Sequence, residues 1–318
     1  MYLDFYQLRE YPFSQACDPR FLYFSAGHKE AMAGMLYCLR ERKGVALLLG
    51  EPGTGKTTLL AAVGEMLPGG VVAQSLDTPL HATPAEALAA ILRGFHLEAE
   101  AGGLSGMLSR LQAYLRERHR AGECVLLLID EAQDLNPLVL EQVRLLTNLE
   151  LGGHKLLQII LSGQPELAAH LRTANGRALH QRVAVRCQLA PLSRLETQAY
   201  LRARLEQAGS RQPLFEEGAV ERIHPYSQGV PRVINVIADH CLLAGFASQA
   251  PRISPALVDR VAKQLELSLP SPAALAVAAA RTAGIGAAPA APGSTQRPPA
   301  LQRFASGWAR WAGLAEGK

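Results

Sequence analysis

Eight consecutive residues, Gly50-Glu51-Pro52-Gly53-Thr54-Gly55-Lys56-Thr57, have the types and spacing needed to hold a polyphosphate. A triphosphate brings several negative charges that must be met by many donors at once. Glycines at 50, 53 and 55 let the chain curl so that backbone N–H groups converge on phosphate oxygens. A helix starting near Lys56 would add its positive N-terminal end. Lys56 has the reach for the β- and γ-phosphates, and the Thr57 hydroxyl is a ligand for Mg²⁺. The pattern G-x-x-x-x-G-K-[ST] assigns Gly50, Glu51, Pro52, Gly53, Thr54, Gly55, Lys56, Thr57 and Thr58 to nucleotide binding, with ATP and Mg²⁺ as the expected ligands.

A second polar group closes an apolar run. Val125-Leu126-Leu127-Leu128-Ile129 leads directly into Asp130-Glu131. Two acids at the C-terminal end of a buried strand sit where ligands bind in an open α/β sheet. Asp130 can hold Mg²⁺ directly or through water, and Glu131 is placed to orient or deprotonate an attacking water. The next run, Ile159-Ile160-Leu161, leads into Ser162-Gly163-Gln164. A polar group there could contact the γ-phosphate or the water. Gln164 is chosen over Ser162, with an ordinary turn residue as the plain alternative.

Arginine completes the set, because guanidinium stabilises the charge developing on a transferred phosphoryl group. Arg177, Arg182 and Arg186 lie around the start of a fifth strand, and Arg182 is the choice for a residue acting on a neighbouring subunit. Arg232 follows Gly229-Val230-Pro231, and Pro231 suits the first turn of a helix. A cation at a helix start gains nothing from the dipole, so an anionic partner explains Arg232 better than a structural role does.

These residues need a framework. Residues 45–49, 71–75, 125–129, 156–161 and 183–189 read as five strands, and 57–67, 85–95, 104–120 and 138–149 read as helices between them. Strands alternating with helices predict an α/β fold with a parallel sheet covered on both faces. Residues 191–266 contain no convincing strand and read as an all-α lid, with Leu201, Leu205 and Ala208 on one face and Val233, Ile237 and Cys241 on another. The expected organisation is a phosphate-binding ATPase core over 1–190, the helical lid over 191–266, an Ala/Pro-rich disordered linker over 267–300 and a short tail over 301–318. In the tail, Leu301, Phe304, Trp308, Trp311 and Leu314 fall on one helical face, flanked by Arg303 and Arg310. Such a face could rest on a membrane surface, dock on a partner or simply pack on its own chain.

The chain has 318 residues, is 48% hydrophobic and carries a formal charge of +4, which does not by itself indicate nucleic acid. Arg110, Arg116, Arg118 and Arg120 share one helix and read as a solvated face. The five cysteines are scattered without C-x-x-C spacing, which disfavours zinc and suits a reduced, cytoplasmic setting. The start, Met1-Tyr2-Leu3-Asp4-Phe5-Tyr6, shows no secretory signal, and the best apolar stretch, 273–280, is too short to span a membrane.

Together the residues resemble the AAA+ ATPases, and within them the branch of the general secretion pathway component A and the Mu-type transposition protein B. Pro12-Phe13, Phe21-Leu22-Tyr23-Phe24 and His28-Lys29-Glu30-Ala31 carry the resemblance ahead of the loop. Asp130-Glu131-Ala132-Gln133-Asp134-Leu135, Gly163-Gln164-Pro165-Glu166-Leu167, Leu192-Ser193-Arg194-Leu195-Glu196-Thr197 and Gly229-Val230-Pro231-Arg232 carry it after the loop. The resemblance implies a Mg²⁺-dependent ATPase forming a homo-oligomer, a ring or partial ring, with residues near Tyr23 and His28 lining an adenine pocket. The expected function is ATP-driven assembly or remodelling of a partner complex in a secretion or envelope system, in the cytoplasm or peripherally at the inner membrane. A DNA-binding transposition ATPase and a non-hydrolysing nucleotide switch are the alternatives.

Overall fold

The computed structural model describes residues 1–67, 69–76, 83–98, 103–174 and 176–269. Met1–Pro270 form one compact unit. The tail, with Trp308 and Trp311, lies outside the described residues, as does the linker beyond residue 269.

Chain order runs α1 (Tyr2–Tyr6), α2 (Ala26–Arg40), β1 (Val45–Gly50), α3 (Lys56–Glu65), β2 (Val71–Ser75), α4 (Pro84–Gly94), α5 (Gly103–Arg120) and β3 (Cys124–Ile129). It continues with α6 (Pro137–Leu146), β4 (Glu150–Leu151), β5 (His154–Lys155), β6 (Leu157–Gly163), α7 (Pro165–Arg172), α8 (Arg177–His180) and β7 (Val183–Leu189). Four helices follow: α9 (Arg194–Gln207), α10 (Glu217–Ser227), α11 (Pro231–Ala247) and α12 (Pro255–Gln264). The expected five-stranded parallel sheet is present, in the order β2-β3-β6-β1-β7.

The apolar runs are strands because both sheet faces are covered. Val45 and Leu47 of β1, Val125, Leu127 and Ile129 of β3, and Leu157, Ile159 and Leu161 of β6 join one core with α4 to α8. The alternate residues Ala46, Leu48, Leu126 and Ile160 join the other with α2 and α3. Period-2 alternation into two cores removes any polar face, so hydrophobicity is continuous. Leu59 and Val63 of α3 are fully buried in the second core. Each such side chain contributes roughly 1.5–3 kcal/mol by burial, and together they fix the helix that begins at Lys56.

Helix starts follow local chemistry. Thr83 and Glu86 form a capping box on α4, and Ser193 and Glu196 form one on α9. One boundary differs from the sequence reading by more than two residues. Helix α6 ends at Leu146 rather than 149, and a short hairpin pairs Glu150 with Lys155 and Leu151 with His154. Gly152 and Gly153 supply positive φ at both turn positions, 58° and 80°. That is the requirement of a tight two-residue hairpin, and it competes with helix continuation.

Helices α9 to α12 share a third core, and an isolated parallel bridge between Phe215 and Ile253 is the extended pairing within that bundle. The N-terminal segment also enters this core. Tyr2, Tyr6, Phe13 and Phe21 are buried among the bundle residues, and the Tyr2 hydroxyl donates to Asp239 Oδ1 at 2.5 Å. Among the described residues no helix is long and apolar enough to cross a membrane.

Candidate nucleotide site

Sheet order sets the site. β6 lies between β1 and β3, and the three run parallel with Leu49 beside Gly163 and Leu161 beside Ile129. The loop after β1, Asp130 after β3 and Gln164 after β6 therefore emerge side by side at one sheet edge. Gly53 and Gly55 take φ values of 79° and 97°, a left-handed backbone that favours glycine. A Cβ on Gly53 would lie 2.7 Å from the Arg232 Cβ, and one on Gly55 would lie 3.1 Å from His28 Nε2.

Lys56 is 4% exposed, and its Nζ donates to the carbonyls of Gly50 at 2.9 Å and Glu51 at 3.3 Å. An ammonium has three N–H donors, so one more remains for a ligand. Thr57 Oγ1 donates to Asp130 Oδ2 at 2.6 Å. These two oxygens, from α3 and the end of β3, are hard donors of the kind Mg²⁺ selects. Mg²⁺ commonly takes one or two carboxylates with substrate phosphates and waters, so the pair fits that ion. Among the described residues no cluster of three or more His, Cys, Asp or Glu suits a dedicated metal cage.

Glu131 has φ 47°, which swings the chain out of β3 into the following short 3₁₀ turn. Its Oε2 accepts from Gln133 Nε2 at 2.8 Å and Gln164 Nε2 at 3.4 Å. Gln164 and Glu131 thus face the same cavity, of about 280 Å³, which is also lined by Lys56, Thr57 and Arg232. Ser162 is fully buried, and its hydroxyl has no hydrogen-bond partner among the described residues.

Arg232 comes from the bundle but touches the loop. Its backbone N–H donates to the Gly53 carbonyl at 3.2 Å. Its side chain is exposed, lines the cavity and makes no ion pair among the described residues. Arg182 is elsewhere. It precedes Val183, which pairs with Val45, so about 17 Å of strand separates its level from the loop. Its Nη1 donates to the Arg144 carbonyl at 2.8 Å and Thr147 Oγ1 at 2.6 Å. The structure does not bring it to its own phosphate loop. Arg186 bonds the His180 carbonyl, while Arg177 is exposed.

Sequence reasoning missed several cavity residues: Ser14, Gln15, Cys17, Tyr200, Arg204 and Asn235. Arg204 is 8% exposed and clamps the N-terminal strap, donating to the carbonyls of Pro12 at 2.5 Å and Ser14 at 3.2 Å. Its guanidinium stacks 4.8 Å from the Phe21 ring. A signal was available: Tyr200 and Arg204 are i and i+4, beside the apolar stripe of Leu201 and Leu205.

Comparison with known proteins agrees with this geometry. A family model for the AAA domain matches residues 39–171. General secretion pathway protein A of Aeromonas hydrophila is 43% identical over 255 residues, which are 80% of this chain and 46% of that protein. The chain therefore spans about half the length of this curated relative. Among solved structures, the ORC2 protein of Aeropyrum pernix, solved as ADPNP-ADP complexes, superposes with a TM-score of 0.63 at 18% identity, covering 96% of this chain and 90% of that one. Cdc6p of Pyrobaculum aerophilum superposes with a TM-score of 0.62 at 20% identity, covering 80% and 70%. At such identities the likeness concerns fold alone. The resemblance carried by the phosphate loop and its partners is thus borne out: this chain has the P-loop AAA+ fold, matches the AAA domain model over residues 39–171, and is similar to general secretion pathway protein A.

Proposed function

We propose that the chain is an ATP hydrolase that works as a homo-oligomer to assemble or remodel a partner complex of a secretion or envelope system. The observation that carries hydrolysis is that Thr57 and Glu131 line one cavity, with Asp130 Oδ2 2.6 Å from Thr57 Oγ1. The loop N–H groups and Lys56 hold the phosphates. Thr57 and Asp130 would hold Mg²⁺, which would supply positive charge against the phosphates. Glu131 accepts the proton of the attacking water, and Gln164 fixes that carboxylate and the water. Arg232 brings the helical bundle, proposed as a lid, against the phosphates. The pathway rests on the name of the 43% identical relative, of which this chain spans under half.

The test is the rate of ATP turnover alone, with duplex DNA, and with anionic liposomes. Stimulation by liposomes and not DNA is the expected result for an envelope role, with the Trp308/Trp311 tail as the proposed contact. Stimulation by DNA and not liposomes would replace it with the transposition reading.

The proposed finger acts between subunits. Arg182→Ala is expected to lower turnover about tenfold or more, and mixing with a Lys56→Ala protein should restore part of it. The Lys56 mutant offers its own arginine to the intact loop of its neighbour. If Arg177→Ala shows the loss and the rescue while Arg182→Ala shows neither, the role passes to the exposed Arg177.

A further inference from the structure

Ser25, His28 and Glu196 link the phosphate loop to the first helix of the bundle. His28, in the first turn of α2, is 3% exposed. Its Nδ1 lies 2.7 Å from Ser25 Oγ. That oxygen also accepts the backbone N–H of His28 at 3.3 Å, as the N-cap of α2. With the Ser25 hydroxyl as donor, Nδ1 is the acceptor and the ring proton sits on Nε2.

The Nε2 edge faces the loop: a methyl group built on Gly55 would come within 3.1 Å of it. The Thr54 backbone lies beside the ring and favours its protonated form. The Thr54 N–H is already donated to the Glu51 carbonyl at 3.3 Å, which leaves the Thr54 carbonyl to face the ring. Burial lowers the imidazole pKa and favours the neutral ring, opposed by the Thr54 backbone and the Glu196 charge.

Glu196 anchors the other end. Its Oε1 accepts from the Ala26 N–H at 3.3 Å, and its Oε2 accepts from the Ser193 N–H at 2.9 Å and hydroxyl at 2.8 Å. Burial would raise this carboxyl, but the bonds from Ser193 and Ala26 hold it below its usual value. The first turn of α2 is therefore bracketed by the loop and by the first turn of α9.

We propose that His28 is a positioning residue for nucleotide binding. Its Nε2–H pins the Thr54 carbonyl and so fixes the left-handed turn at Gly55 that aims the loop N–H groups, while Glu196 ties this pin to α9. The inference rests on the loop's binding a nucleoside triphosphate. Loop amides contact the phosphates in both ground and transition states, so loss of the pin weakens binding more than turnover.

The experiment measures the affinity of the full chain for a fluorescent ATP analogue, alongside KM and kcat. His28→Leu is expected to raise Kd and KM about tenfold, as for one lost buried hydrogen bond, with kcat nearly unchanged. His28→Gln offers an amide N–H near the Nε2 position and should recover most of the affinity. A purely structural His28 would lower the melting temperature and leave Kd and KM alone, and that result overturns the proposal, as does a Gln variant no better than Leu. If His28→Leu does not fold, Ser25→Ala decides, because it frees the ring proton to move to Nδ1. A several-fold loss of affinity supports the pin, and native affinity removes it. If the native chain itself fails to bind the analogue, the nucleotide reading falls first and takes this inference with it.

Discussion

Replacing Lys56 with alanine is expected to remove measurable nucleotide binding, with affinity at least about 100-fold weaker. Lys56 is nearly sealed from solvent, and its ammonium is held at 2.9 Å from the Gly50 carbonyl at the mouth of the loop. A charge there is placed before any ligand arrives, so little side-chain entropy is lost on binding. A charge-assisted hydrogen bond to a phosphate oxygen is worth roughly 1.5–3 kcal/mol, and Lys56 has one N–H left to supply it. Isothermal titration with ATP and Mg²⁺ measures the loss. The fold should survive, because Lys56 belongs to none of the three apolar cores. Native affinity in a folded Lys56→Ala protein would remove the site altogether. Lys56→Arg is a useful second variant. It keeps the charge but brings a larger planar group into a loop whose Gly53 has no space for even a Cβ, so it too should bind poorly.

How much of this could be read from the chain follows from the range of each interaction. The loop was legible because all its parts are local: glycines, lysine and threonine within eight residues, between an apolar strand and a helix. Asp130 and Glu131 were legible because β3 is buried on both faces, so the run stops abruptly where the acids begin. Their closeness to Thr57 follows from parallel topology, which alternating strands and helices already implied. The strap was not legible. Arg204 meets the Pro12 carbonyl across 192 residues of sequence, and no local pattern announces that meeting. The link from His28 to Glu196 is hidden for the same reason, although Ser193-x-x-Glu196 is itself a visible capping box. Gly152-Gly153 was a visible turn signal, but the helical pattern of α6 masked the hairpin before it. For Arg182 the position was legible, at the start of β7. Its bonds to Arg144 and Thr147 were not, since they depend on how α6 and β7 pack.

Glu131→Gln separates binding from chemistry. The substitution keeps the size of the side chain and an oxygen that can accept from Gln133 and Gln164, now at 2.8 and 3.4 Å from Oε2. It leaves Lys56, Thr57 and Asp130 untouched, so affinity for ATP should stay within about twofold of native. What it removes is basicity. A carboxamide cannot take the proton of an attacking water, and a positioned base is worth about 10²–10⁴ in rate. Turnover is therefore expected to fall at least about 100-fold, which is about 2.7 kcal/mol of barrier. The left-handed backbone at Glu131, φ 47°, is within reach of glutamine, so no new strain is introduced at the strand end. Single-turnover release of phosphate measures the chemical step without product release. A variant that binds ATP tightly and hardly hydrolyses it assigns the base to Glu131. Unchanged turnover takes that role away from Glu131. Absence of hydrolysis in the native chain as well, with binding intact, would favour the nucleotide-switch reading, in which the loop holds ATP and the acids serve only the metal.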